Sequence, residues 1–299
     1  MYAKAKGGNY LSKTTHSNRK AAILKRLAAV LLAAAITVAC IIPASAVPAE
    51  AASTTTWGVF IGVTLHGNVS KVKNYKSIVI DGQNYSKSEI TKLKEGGRRK
   101  VYSYLSIGSI ATYRSYYKRF KKYTLGNYDN WPSEKWIDTS KVAWQDFVVN
   151  TLAASLKKKG VDGLWIDNTE VWNEYPRAPI YNGLVYILRR CKAKGFKIII
   201  NGGDVFVQHT IRTGKQACID GVMQEEVLTR IANYNKNGFA RQLSSDRSYY
   251  EAYLRLVKRA HKSIALLEYT KSAAMRKAII NYCKKRGYSY YISNNVALK

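Results

Sequence analysis

Between residues 57 and 293, short apolar runs alternate with longer stretches of helical period, and this rhythm repeats eight times. The runs are WGVFIG (57–62), SIVIDG (77–82), KVYSYLSIG (100–108), GLWIDN (163–168), KIIINGG (197–203), GVMQEEV (221–227), SIALLEYT (263–270) and YSYYIS (288–293). Their lengths suit strands, and a helix between successive strands makes those strands parallel. In SKVAWQDFVVNTLAASLKKKG, residues Trp144, Phe147, Val148, Thr151, Leu152, Ser155 and Leu156 recur at three and four, Ser140 suits an N-cap, and Gly160 suits a helix end. Further helices are expected over Gly183 to Lys194, Tyr249 to His261 and Lys271 to Arg286. Eight such units over about 240 residues predict an α/β fold of the closed (β/α)₈ TIM-barrel type. No G-x-G-x-x-G follows the first strand, which argues against a nucleotide-binding open sheet. One long irregular insertion, 109–139, follows the third strand and should lie at the barrel mouth.

Residues 1–51 read as a signal peptide and processing region, and 52–299 as a single barrel domain. Lys4, Lys6, Lys13, Arg19, Lys20, Lys25 and Arg26 precede an apolar run from Leu27 to Ile42 and then small residues, with cleavage expected after Ala46 or Ala51. The run is shorter than the roughly 20 residues of a membrane span, so a membrane enters only through an uncleaved leader. Without the leader the net charge is about +24. A basic surface of this kind suits retention on an anionic cell wall. The basic residues are dispersed and no nucleic-acid-binding signature is present, so nucleic acid is not an expected partner. Cys191, Cys218 and Cys283 are odd in number and widely spaced, which predicts packing residues rather than a disulfide framework. His66, His209 and His261 lack metal-ligand spacing, and the reading implies no metal and no organic cofactor. The location expected is secreted or cell-wall associated at a bacterial surface, as a monomer.

In TIM barrels the chemistry gathers at the C-terminal ends of the strands. Eight of the 19 acidic residues lie at or just past predicted strand ends: Asp81, Asp167, Glu170, Glu174, Asp204, Glu225, Glu226 and Glu268. The mouth is therefore expected to be acidic on a cationic body. Glycoside hydrolysis needs two carboxyl groups, one to protonate the leaving oxygen and one to attack or to activate water. Asp167 and Glu225, from predicted strands four and six, suit such a pair; a slip of one residue would put Glu226 in the place of Glu225. Asp81, Tyr102, Tyr104, Asn168, Trp172, Asn201, Asp204, Glu226, Glu268 and Tyr269 are candidate substrate-binding groups, as strand-end polar residues or aromatic walls for sugar faces. Trp131, Trp136, Trp165 and Tyr175 are further candidate walls.

The ordered set WGVFIG, VIDGQNYS, VYSYLSIGSI, LGNYDNWPSEKWID, GVDGLWIDN, IIINGGDVF and GVMQEEVLT resembles glycoside hydrolase family 114, the endo-α-1,4-polygalactosaminidase-like proteins. The resemblance runs from about Trp57 to Ser293. It implies a TIM barrel that cleaves α-1,4-linked galactosamine polymers internally, with Asp167 as nucleophile and Glu225 as acid/base, or the two roles exchanged. The chain departs from the family pattern in two places: Met223 stands where relatives carry asparagine, and Thr169, Glu170 and Val171 follow IDN where relatives often read Asp-Val. A barrel without activity that binds wall or matrix polysaccharide is the alternative.

Overall fold

The computed structural model describes residues 57–129 and 131–299. The leader read at 1–51 lies outside the described residues. Among the described residues there are thirteen strands: β1 (Trp57–Phe60), β2 (Ser77–Ile80), β3 (Lys100–Ser106), β4 (Ser109–Ala111), β5 (Thr124–Asn127), β6 (Glu134–Ile137), β7 (Gly163–Asp167), β8 (Lys197–Asn201), β9 (Gly221–Glu225), β10 (Thr229–Asn233), β11 (Gly238–Arg241), β12 (Ser263–Tyr269) and β13 (Ser289–Ser293). Eight of them form one parallel sheet in the order β1-β2-β3-β7-β8-β9-β12-β13. All eight expected strands are present, each a little shorter than its apolar run. At the two ends of the sheet, Phe60 and Tyr291 pack with ring centroids 6.0 Å apart, and Gly62 N–H donates to the Leu298 carbonyl at 3.2 Å. The sheet is a nearly closed (β/α)₈ barrel with helices between the strands.

Strand parity divides the core in two. Inside the barrel lie Trp57, Val59, Val79, Trp165, Ile199, Met223, Ala265, Leu267 and Tyr269. Between barrel and helices lie their alternates, among them Ile78, Ile80, Leu164, Ile166, Ile198, Ile200, Val222, Ile264 and Leu266. Successive residues of a strand point to opposite faces, so both faces are apolar and the runs read as continuous rather than alternating. Met223, one departure from the family pattern, is explained here: Trp165 Nε1 donates to its sulfur at 3.3 Å inside the barrel.

Helices Ala178–Ala193, Ser244–Arg259 and Ala273–Arg286 confirm the expected helical segments with shifted bounds. The helix expected from Ser140 instead starts with Lys141 as N-cap, because the Ser140 hydroxyl donates to Asp138 Oδ1 at 2.6 Å. It runs through an α segment (Val142–Asp146), a π segment (Phe147–Ala153) and a second α segment (Ala154–Lys158). The insertion expected to be irregular holds a three-stranded antiparallel sheet, β4-β6-β5. A second insertion, the hairpin β10–β11, follows β9.

Candidate active site

Asp167 ends β7, Asn201 ends β8, Glu225 ends β9 and Tyr269 ends β12. By parity Asp167 follows Trp165, Asn201 follows Ile199, Glu225 follows Met223 and Tyr269 follows Leu267, all inward residues. Because β8 lies between β7 and β9, Asn201 stands between the two carboxylates. Its Nδ2 donates to Asp167 Oδ1 at 3.0 Å and to Glu225 Oε1 at 2.7 Å. One nitrogen bonded to both oxygens holds those two atoms within about 6 Å of each other, close enough for the pair to flank one glycosidic bond. Tyr269 Oη donates to the other oxygen, Glu225 Oε2, at 2.6 Å. Both carboxylates keep a partly exposed face at the barrel mouth.

Burial raises both carboxyl groups. Asp167 is held well above the usual carboxylate range by burial first, then by Glu170, with Glu225 and Glu134 adding to the effect against the bond from Asn201. Glu225 is also raised by burial, opposed by its bonds from Tyr269 and Asn201. The site therefore retains protons that exposed carboxylates would lose, as acid catalysis at a glycosidic oxygen requires.

The match to a known family decides what this pair belongs to: the model of glycoside-hydrolase family GH114 matches residues 41–297. The chain belongs to family GH114. It is a glycoside hydrolase. A protein of Deinococcus radiodurans described as uncharacterized is 25% identical over 224 residues, which cover 71% of this chain and 69% of that protein. Among solved structures, the glycoside hydrolase domain of PelA from Pseudomonas aeruginosa shares the fold with a TM-score of 0.68 at 16% identity, covering 82% of this chain and 96% of that domain. Aspergillus fumigatus Ega3, in a complex with galactosamine, superposes with a TM-score of 0.64 at 18% identity, covering 85% of this chain and 96% of that one.

The GH114 barrel sorts the remaining candidates. Glu226 leaves the strand with φ of 57°, and its carboxylate accepts from Ile231 N–H inside the hairpin. The one-residue ambiguity thus resolves geometrically, with Glu225 facing Asp167. Glu268 is not a sugar-facing group: it is fully buried on the outward side of β12, and its oxygens accept from the N–H groups of Val227, Leu228 and Thr229 and from the Thr229 hydroxyl at 2.6–3.0 Å. Tyr102 is also corrected. It packs 4.6 Å from Trp57, and Asp162 and Asp220, which precede β7 and β9, are its charged neighbours; it belongs to the opposite rim. Trp165 is core. Trp172 packs between Tyr181 and His209, at 5.2 and 4.7 Å, in the helical layer rather than over the mouth.

Asp81 caps a short 3₁₀ turn and pairs with Arg114 at 2.8 Å. Asp204 starts the helix Asp204–Arg212 and accepts from Tyr249 Oη. Asn168, buried with φ of 65°, donates to Ser106 and Ser109 hydroxyls and to Glu134 Oε2 at 3.0, 2.8 and 3.3 Å. Tyr104 lies 6.0 Å from Trp165 and has Asp167 and Glu134 as charged neighbours.

Three groups that sequence reasoning left out of the site join it. Glu134, from β6, accepts from Asn168, the residue after Asp167, and is an electrostatic neighbour of Asp167. Tyr128 stacks on Trp136 at 4.3 Å, and its hydroxyl has Glu170, Asp167, Glu134 and Glu225 as charged neighbours. Glu170 was visible as a strand-end acid. Its Oε1 accepts from Gly203 N–H at 2.7 Å, while Oε2 receives no hydrogen bond among the described residues. Gly202 and Gly203 adopt φ of 57° and 59°, and a Cβ on Gly202 would stand 2.4 Å from the Glu170 oxygen, so this glycine pair makes room for the acid.

Burial pushes Glu170 up to about 7. Its charge is the largest electrostatic contributor to the raised Asp167. Replacing it with neutral glutamine removes that charge and lowers the Asp167 pKa. Glu170→Gln is therefore expected to move the limb of the kcat/KM profile set by Asp167 to lower pH; an unmoved limb would place Glu170 outside the field of the pair.

Proposed function

We propose that this GH114 chain is a secreted, endo-acting glycosidase that cleaves α-1,4-linked galactosamine-type polysaccharide with retention of configuration. The observation that carries the reading is the single Asn201 nitrogen bonded to both Asp167 and Glu225. Two oxygens held this close suit the short carboxyl separation of retaining glycosidases, about 5–5.5 Å, better than the wider one of inverting enzymes, which favours a covalent intermediate over direct hydrolysis. In the first step an Asp167 oxygen attacks the anomeric carbon as its bond to the leaving oxygen breaks, and Glu225 gives that oxygen a proton. In the second, water loses a proton to Glu225 while its oxygen attacks the same carbon and releases Asp167.

Support for the substrate comes from the family, from the fold shared with the galactosamine-bound Aspergillus protein, and from the acidic mouth, which suits a cationic amino sugar. Secretion rests on the leader pattern, and the basic body suits retention on an anionic wall beside the polymer. A panel of amino-sugar homopolymers, with released oligosaccharides identified by mass, tests the proposal: galactosamine oligomers are expected, and no release from any polymer would reject it in favour of a binding barrel.

One observation favours exchanged roles. Glu225 accepts two hydrogen bonds that stabilise its ionised form, whereas Asp167 accepts one and faces Glu170. Azide rescue separates the two assignments. With an activated substrate, Asp167→Gly plus azide should give the inverted β-glycosyl azide, and Glu225→Ala plus azide the retained α product. The opposite pairing would exchange the roles.

A further inference from the structure

The basic residues are dispersed along the sequence, but the fold gathers many of them at one end. In a (β/α)₈ barrel each helix ends beside the start of the next strand, at the closed end opposite the mouth. The helices Lys87–Lys94, Ala154–Lys158, Ala178–Ala193, Ser244–Arg259 and Ala273–Arg286 each carry at least two basic residues in the last turn and no acidic one. One cation answers the partial negative charge of a helix C-terminus, so helix stability accounts for only part of this set. Lys76, Lys100, Lys197 and Lys262 add to it, each at a strand start or just before one. The acids at this end are already engaged. Lys94 and Lys100 pair with Asp162 at 2.9 and 4.0 Å, Lys192 and Lys197 with Asp220 at 2.7 and 3.8 Å, and Arg99 with Glu95 at 2.8 Å. Lys158, Arg190, Arg259 and Lys285 are exposed, one on each of four helices, and their side chains make no ion pair or hydrogen bond among the described residues.

The same face lacks what other polyanions need. Tyr113, Trp131, Val142, Tyr186 and Leu243 are the large apolar side chains exposed among the described residues, and they lie in the first insertion, at helix starts or in mid-helix. The closed end thus offers no ring to stack on a base and no apolar side chain to enter a bilayer. Its recognition chemistry is point charge with N–H donors.

We propose that the closed end of the barrel is a docking surface for a wall polymer of polyol phosphates, held through its phosphodiester charges. A flexible chain with one negative charge per repeat follows cations set around a rim, and ammonium and guanidinium groups donate to its phosphate oxygens. Docked in this way the enzyme turns its acidic mouth away from the wall. The proposal rests on the reading of the chain as exported to an anionic wall, and adds which face is held and which is left free.

The test is binding of poly(glycerol phosphate) to the purified full chain over a range of salt concentrations. Lys158→Gln, Arg190→Gln, Arg259→Gln and Lys285→Gln, combined in one variant, are expected to weaken binding about tenfold at about 0.1 M salt and to flatten its salt dependence. Lys87→Gln, Lys118→Gln, Lys121→Gln and Lys271→Gln remove the same charge from exposed positions away from the closed end, and together should leave binding unchanged. Equal losses in the two variants would reduce the effect to net charge and overturn the surface. Absence of binding would overturn it too, as would tighter binding of single-stranded DNA or of phosphatidylglycerol vesicles at equal phosphate. Lysine acylation of the unaltered chain checks the face without substitution: the polymer should shield Lys158 and Lys285 and leave Lys87 and Lys118 reactive, and the reverse pattern would overturn the proposal. Because binding is read on the purified chain, failure of export would reject the location and leave the binding result standing.

Discussion

Asp167→Asn and Glu225→Gln will each lower the rate of galactosamine-polymer cleavage by about 10³-fold, the scale of losing a positioned acid, base or nucleophile. Combined, they are expected to lose little more than either alone, because in the proposed mechanism the two groups act on one bond and their effects do not add. Neither change should unfold the barrel. Both carboxyls are raised by burial, and neighbouring negative charge raises Asp167 further, so the native state carries unfavourable electrostatics at the site. Removing one such charge is expected to leave the thermal midpoint unchanged or to raise it by a few degrees, as often happens when a functional site is neutralised. Calorimetry and an assay of reducing ends on the same samples check both halves. Full activity in either variant would remove that residue from the mechanism.

Glu268→Ala will have the opposite profile, a large loss of stability with the catalytic groups chemically intact. The side chain is fully buried and accepts three backbone N–H bonds and one hydroxyl bond from the turn that joins β9 to β10. Alanine would leave those donors without acceptors, at a cost on the order of 4 kcal/mol or more. For a barrel of this size the midpoint should fall by roughly 10 °C. Glu268→Gln should fall between alanine and wild type, because the amide keeps one acceptor but turns a donor towards another donor. Activity should drop at temperatures well below the midpoint as well, since Glu225 stands two residues before Val227 and the turn fixes the end of its strand. A midpoint within about 2 °C of wild type in Glu268→Ala would show that water replaces the carboxylate, against the geometry described.

The contrast between Glu225 and Glu268 shows what was legible in the sequence. Both are acids at the end of an apolar run, and the runs alone marked eight strands. Which face each acid takes depends on parity, and parity is hard to read when the barrel interior and the helix-facing side are both apolar. Counting from Trp165 to Asp167 and from Met223 to Glu225 carries each acid inward with an interior residue, whereas Glu268 alternates with Leu267 and falls on the outer face. Tyr102 was misplaced for a related reason: it faces inward, but near the start of β3, so its ring lines the closed end of the barrel.

Glu134 was less legible still. β4, β5 and β6 have three or four residues each, with little apolar pattern, and their pairing is set by contacts across the insertion rather than by local period. Its partner Asn168, 34 residues further on, lies just past the end of barrel strand β7, a juxtaposition made by the fold. Asn201 lay in plain sight as a strand-end amide. Its bridging role follows from the strand order, which places β8 between the strands that carry the two acids.

The central claim is that Asp167 and Glu225 act on a single glycosidic bond at close range. Proton NMR of the first product formed from an α-linked galactosamine oligomer reads that geometry directly, before the free sugar equilibrates between anomers. An α-configured new reducing end is the expected result. A β-configured one would mean that water attacked from across a wider gap than a shared Asn201 bond permits, and would contradict it.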